Sequence, residues 1–252
     1  MACNKESIIR LTSVDSTNRY LRDEASRLRD KCAQDGFVVV TAEYQSAGRG
    51  QRGNIWSSDK SVNLLFSILV RPGNSLKVTD QFLLSQATAL ALHYAMKSYG
   101  IDTRLKWPND IYVGNRKLAG MLLELDYCGT YVEQAIIGVG LNVNQEVFLE
   151  MDRNPVSMKM LHGHDFDLEN VLATVLDSFR HFYDELCNGN GKIIAAEYTD
   201  QLLGLNEQRT FIDNNGRFKA IIEGVDSIGH LLLRHNDGVV LRYAFKEVEQ
   251  VL

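Results

Sequence analysis

Gly48-Arg49-Gly50-Gln51-Arg52-Gly53-Asn54-Ile55-Trp56 is the stretch on which the fold turns. Its glycines at 48, 50 and 53 match the G-x-G-x-x-G spacing of a dinucleotide-binding turn, which would make the chain a doubly wound α/β protein. That fingerprint must open a helix, and an acidic side chain about twenty residues later must hold a ribose. Here the loop runs into Asn54-Ile55-Trp56-Ser57-Ser58, which has no helical apolar period, and no Asp or Glu occurs between Lys60 and Thr79. A protein-kinase loop fails too, because neither His-Arg-Asp nor Asp-Phe-Gly follows, and there is no Walker A sequence. What remains is a flexible backbone carrying Arg49 and Arg52. Glycine lets backbone N–H groups approach a ligand closely, so such a loop suits closure over an anion. Downstream, Lys106-Trp107-Pro108-Asn109-Asp110 and Lys117-Leu118-Ala119-Gly120 set two lysines around a carboxylate. A phosphate-bearing ligand is the natural partner of that set.

Around the loop the pattern mixes strands and helices. Asp15-Ser16-Thr17-Asn18 offers N-cap residues, followed by Tyr20, Leu21, Ala25 and Leu28 at helical spacing. Residues 37–42 read as a buried strand entering the loop, and 63–70 as a second strand ended by Pro72-Gly73. Thr79 precedes a long helix over about 80–99, stopped by Gly100. Gly114-Asn115 is a two-residue hairpin turn between 110–113 and 116–124. A strand over 131–144 puts Ile137, Val139, Leu141 and Val143 on one face, and Gly138, Gly140, Asn142 and Asn144 on the other. The second face lacks side chains and then carries amides, as a surface cleared for a ligand would; close packing of a helix or a bulge would leave the same trace. An amphipathic helix from Asp167 to near Gly189 and a shorter one over about 192–203 follow. Beyond Gly204, short alternating runs separated by Asp-Asn-Asn-Gly, Ser-Ile-Gly and Asn-Asp-Gly turns predict a small barrel of about 45 residues.

At 252 residues the chain can bury one substantial core, or one large domain and a small one. A net charge of −5 argues against bulk electrostatic binding of nucleic acid. Cys3, Cys32, Cys128 and Cys187 form no C-x-x-C pair, and no apolar run reaches the roughly 18 residues of a membrane span. A cytoplasmic protein with reduced thiols is expected, with no membrane or nucleic-acid partner. His162-Gly163-His164 is an isolated pair in a predicted loop rather than a metal motif.

In this order the motifs resemble the biotin protein ligases, the biotin–[acetyl-CoA carboxylase] ligases. The resemblance rests on Asp15-Ser16-Thr17-Asn18, Glu43-Tyr44-Gln45 leading into Gly48-Arg49-Gly50, Lys106-Trp107-Pro108-Asn109-Asp110, Lys117-Leu118-Ala119-Gly120 and Gly138-Val139-Gly140-Leu141-Asn142. It implies an α+β fold: a mixed sheet flanked by helices, like the class II aminoacyl-tRNA synthetases, over residues 1–204, then an SH3-like barrel over 205–252. It also implies a two-step reaction. Biotin's carboxylate attacks the α-phosphate of MgATP to give biotinyl-5′-AMP. A lysine of a biotin carboxyl carrier protein, as in acetyl-CoA carboxylase, then takes the biotinyl group.

By resemblance Ser16, Thr17, Asn18, Gln45, Gly48, Arg49, Gly50, Lys117, Gly120 and Gly138 bind biotin. Arg49, Arg52, Trp56, Lys106, Asn109, Lys117 and Asn142 bind the nucleotide, while Trp107 reads as structural. Lys117, Arg49 and Asp110 would be catalytic. Both reactants of the first step are anions, so fixed positive charge must bring them together. For the second step, an acceptor lysine of pKa about 10.4 costs roughly 4.6 kcal/mol to deprotonate at pH 7, and a carboxylate near 3.9 is a weak base for that task. Asp110 is therefore expected to orient the ammonium or hold Mg²⁺, with base catalysis second. Mg²⁺ is expected to arrive with ATP and not in a dedicated cage.

Gln51 and Asn54 stand where the common family pattern has arginines, which predicts weaker retention of the adenylate. Some family members carry an N-terminal winged helix, and the few residues before Ser16 predict the short, enzyme-only form. A lipoate or octanoate ligase on the same architecture and a non-catalytic biotin sensor are the competing readings. A homodimer through the central sheet stays open.

Overall fold

The structure, a computed structural model, describes residues 7–148 and 154–252. From the N-terminus, β1 (Ser7–Leu11) leads into α1 (Thr17–Glu24) and α2 (Arg29–Asp35), and β2 (Phe37–Ala42) enters the glycine loop. β3 (Leu64–Val70) and α3 (Phe82–Ser98) follow, then β4 (Arg104–Lys106), β5 (Asp110–Val113), β6 (Arg116–Cys128) and β7 (Tyr131–Leu141). Three helices, α4 (Met158–His162), α5 (Leu168–Cys187) and α6 (Gly191–Asp200), precede the last strands. These are β8 (Gln208–Asp213), β9 (Gly216–Val225), β10 (Leu231–His235), β11 (Val240–Tyr243) and β12 (Val248–Gln250).

The chain divides into two compact units, one of Met1–Val78 with Arg116–Asp177, the other of Thr79–Asn115 with Ser178–Leu252. In the first, the strands lie in the order β1-β2-β3-β7-β6, with β1 parallel to β2 and the rest antiparallel. β3 is buried along its whole length, which is why it reads as an apolar run interrupted only at Ser67 and not as an alternating one. α1 packs on β2, β3 and β7, where Leu21 and Ala25 meet Val38, Val40, Leu69 and Ile136.

Register carries that face toward the site. Leu69 sits opposite Ile136, Ser67 opposite Gly138, and Leu65 opposite Gly140. On the far side of β7, Leu122 faces Gly138 and Gly120 faces Gly140. Paired residues of an antiparallel ladder share a face. Along β3 and β7 the side chains therefore shrink from Leu69 and Ile136 to Ser67 and Gly138, and Gly140 and Gly120 then leave a trough without Cβ atoms.

In the second unit, α3 is buried nearly all round, as its apolar composition requires. α6 packs against it, with Phe82 and Tyr198 edge to face at 5.8 Å between ring centroids. β4 and β5 form an antiparallel pair in which Lys106 faces Asp110. The C-terminal strands form an antiparallel sheet ordered β11-β10-β9-β8-β12 around Phe211, Ile222, Leu231, Leu233 and Val248. Among the described residues no ladder joins β11 to β12, so the expected barrel is an open five-stranded sheet here. β4 and β12 escaped the sequence because three-residue strands carry no periodicity. α3 starts two residues later than expected, after a 3₁₀ turn at Val78–Asp80.

Candidate active site

α1 begins at the edge of the glycine-lined face, and a distant residue satisfies its first turn. Ser16 has the extended backbone of an N-cap (φ −157°, ψ 133°), but its hydroxyl makes no capping bond. The amide of Gln45, from the stem of the glycine loop, takes that place instead. Its Oε1 accepts from Thr17 N at 2.8 Å and lies 3.1 Å from Thr17 Oγ1. Ser67 Oγ lies 2.7 Å from Thr17 Oγ1 and 2.6 Å from Asn18 Oδ1, and Asn18 Nδ2 donates to the Leu122 carbonyl at 3.3 Å. Ser16, Thr17, Asn18 and Ser67 are all buried. Asn18 fits only because residue 138 is glycine: a Cβ there would lie 2.3 Å from Asn18 Oδ1.

The loop itself is folded over the trough. Gly50 N donates to Asn54 O at 2.7 Å and Trp56 N to Gly48 O at 3.0 Å, closing the loop around a 3₁₀ turn at Gln51–Gly53. Gly48 is fixed by close approach, since a Cβ there would meet Trp56 O at 2.4 Å. The Trp56 ring lies on the facing pair Gly120 and Gly140, where added Cβ atoms would sit 3.1 and 2.2 Å from ring atoms. The ring Nε1 is buried without a hydrogen-bond acceptor among the described residues.

One cation stands beside the ring, and a second belongs to the loop that carries it. Lys117 Nζ stands 5.6 Å from a Trp56 ring centroid, on the β6 segment that ends at Gly120. Arg49 pairs with Glu124 at 2.8 Å, and Arg22 holds the other oxygen of the same carboxylate at 2.7 and 3.1 Å. The hydrogen-bonded Glu124 raises the Arg22 pKa, with burial opposing. An anion reaching the ring would meet Lys117 beside an aromatic face and a floor of glycine.

Within the first unit the structure thus brings together Ser16, Thr17, Asn18, Gln45, Gly48, Arg49, Gly50, Trp56, Lys117, Gly120 and Gly138. Asn142, expected on the face cleared for a ligand, turns its amide nitrogen to protein carbonyls. It follows β7, is buried, and its Nδ2 donates to Val156 O at 3.2 Å and Lys117 O at 3.4 Å, tying down the backbone that carries Lys117. The side chain of Arg52 lies outside the described residues, as does Cys3. Lys106, Asn109 and Asp110 belong to the second unit. There Lys106 Nζ stands 5.6 Å from the Tyr112 ring, and the buried Tyr198 has its pKa pushed up by burial and by the charge of Asp110. Trp107, which precedes a cis peptide bond to Pro108, donates from Nε1 to Gly229 O at 2.9 Å, as a structural residue would.

Two residues of the arrangement went unread in the sequence. Ser67 is the one polar residue in Leu64-Leu65-Phe66-Ser67-Ile68-Leu69-Val70, and Glu124 the one charge in the run Leu118–Leu125. A lone polar side chain in a buried strand was the available signal for each.

Comparison with known proteins agrees with this geometry. The model of the Biotin/lipoate A/B protein ligase family matches residues 11–142. The bifunctional ligase/repressor BirA of Bacillus subtilis (strain 168) is 30% identical over 223 residues, covering 87% of this chain and 68% of that protein. The biotin–[acetyl-CoA-carboxylase] ligase of Paracoccus denitrificans is 30% identical over 231 residues, covering 89% of this chain and 92% of that one. Among solved structures, the biotin protein ligase from Aquifex aeolicus in complex with biotin and ATP has a TM-score of 0.78 at 25% identity, over 97% of this chain and 98% of that chain. The chain belongs to the biotin/lipoate A/B protein ligase family.

Proposed function

We infer that the protein is an ATP-dependent biotin–protein ligase that forms biotinyl-5′-AMP and passes the biotinyl group to a lysine of a biotin carboxyl carrier protein. The observation that carries this reading is the pairing of a buried amide-and-hydroxyl cluster with a cation-flanked glycine trough, in a family member similar to ligases named for biotin.

At the first end, Ser16, Thr17 and Gln45 offer the donors and acceptors that a neutral ureido ring needs, and Asn18 and Gly138 shape the wall beside them. Lys117 at the other end, with Arg49 of the glycine loop, holds the biotin carboxylate against the α-phosphate, offsetting the repulsion between two anions. A carboxylate oxygen then bonds to phosphorus, the α–β phosphoanhydride bond breaks, and pyrophosphate leaves. In the second step the acceptor amine attacks the acyl carbon, the acyl–oxygen bond breaks, AMP leaves, and the amine gives up its proton. Trp56, Arg52, Lys106, Asn109 and Asn142 serve the nucleotide; for Asn142 this is through the Lys117 backbone. Mg²⁺ arriving with ATP would supply charge neutralisation for the departing pyrophosphate. Asp110, the one carboxylate of the Lys106–Asp110 hairpin, orients the acceptor ammonium or reaches that ion. The functional division at 204/205 and a cytoplasmic location are part of the same reading.

Incubating the purified protein with MgATP, a carrier domain and either biotin or lipoate tests it. A mass increase of one biotinyl group on the carrier lysine is expected. Modification by lipoate alone, or ATP turnover with neither acid, would overturn the assignment.

A further inference from the structure

Ser67 takes part in neither expected ligand set, yet it is fully buried and its hydroxyl touches two residues of the ureido end. A hydroxyl has one proton to donate. Asn18 Nδ2 faces the Leu122 carbonyl, which can only accept, so the Asn18 amide is fixed with Oδ1 toward Ser67. Ser67 must then donate to Asn18 Oδ1, and at 2.7 Å it accepts from Thr17 Oγ1. The Thr17 hydroxyl also lies 3.1 Å from Gln45 Oε1, but two hydroxyl protons serve these three contacts and the two shorter ones, at 2.6 and 2.7 Å, take them; Gln45 Oε1 keeps the bond from Thr17 N, which turns Nε2 of the same amide away. The polarity of the cluster is therefore set at Ser67. Thr17 spends its proton inward and presents lone pairs outward, while Gln45 presents an N–H.

We propose that Ser67 is a positioning residue for biotin recognition, fixing the Thr17 hydroxyl as an acceptor for a ligand N–H and holding Asn18 against Gly138. This rests on the biotin-ligase reading and deepens it. The opposite strand position, Gly138, leaves the room in which Asn18 and Ser67 meet.

The test compares Ser67→Ala with wild type in adenylate formation, varying biotin and ATP separately. Losing one buried hydrogen bond at the recognition end is expected to raise KM for biotin about tenfold, with KM for ATP within about twofold of wild type. Thr103→Val, which removes an equally buried hydroxyl from His93 Nδ1, should leave both KM values unchanged. If Ser67→Ala does not fold, the same split is read on Ser67→Cys, whose thiol is a weaker donor of similar size. An unchanged KM for biotin, an equal rise for both substrates, or failure of both variants to fold makes Ser67 purely structural and overturns the proposal. Absence of biotin adenylation by wild type would instead defeat the underlying reading.

Discussion

Arg49 and Glu124 meet at 2.8 Å across the sequence distance between the glycine loop and β6, and Arg22 grips the other oxygen of the same carboxylate. The Arg49 side chain is half exposed, and ion pairs of that kind contribute only about 0–1 kcal/mol to folding. Its value lies in the positive charge that the glycine loop holds beside β6. Arg49→Ala is expected to slow adenylate formation about 100-fold while changing stability by less than about 1 kcal/mol. Pyrophosphate-release kinetics and urea unfolding, run on the same preparation, check both halves. A variant of full activity would remove Arg49 from the mechanism.

The two ends of the cleared face should separate under mutation. A methyl at Gly138 would press on Asn18, and one at Gly140 on the Trp56 ring. Gly138→Ala is expected to weaken biotin binding more than ATP binding, and Gly140→Ala the reverse. Each should cost about 1–3 kcal/mol of overpacking. Calorimetric titration with each ligand decides, and identical profiles for both variants would refute the division.

Gln51 sits in the 3₁₀ turn of the loop where the common family pattern carries a guanidinium. Gln51→Arg is expected to slow release of biotinyl-5′-AMP. Dissociation of labelled adenylate measures this directly, and an unchanged off-rate would show that the missing charge has no bearing on retention.

Asp110→Asn keeps the shape of the hairpin end but removes its charge. Transfer from preformed adenylate to the carrier lysine should slow more than adenylate formation. Equal slowing of the two steps would refute the orienting role.

His93 provides a pH dependence. Burial, aided by the charges of Lys97 and Arg104 and opposed by Asp102, holds its pKa below the ordinary histidine value. The unfolded chain therefore takes up that proton at a higher pH than the native one. Stability is expected to fall as pH drops below about 6.5, through the lower native pKa. The Tm of wild type should decline from pH 7 to 5 more steeply than that of His93→Gln. Parallel curves would contradict the assignment.

Much of this was legible in the residues. The buried runs at β2 and β3, the Gly114-Asn115 hairpin and the long apolar helices show as periodicity, because each element's burial pattern repeats along its own length. Gly138 and Gly140 could be placed on one face by parity alone. What stayed hidden depends on partners distant in sequence. Nothing near Thr17 shows that Gln45 caps its helix, and nothing near Glu124 shows that two guanidiniums will share it. Asn142 shows the same dependence: its amide nitrogen donates to the carbonyls of 117 and 156, which only the folded chain brings near. Four of the five C-terminal strands show in the sequence as short alternating runs, but alternation does not say whether a sheet closes.

Trp56 rests on bare backbone, with no acceptor for its indole nitrogen among the described residues. The chain has one other indole, Trp107, anchored to a backbone carbonyl. The protein consequently carries its own optical gauge, in which a ligand-dependent change in emission reports the loop leaving or tightening onto its glycine seat.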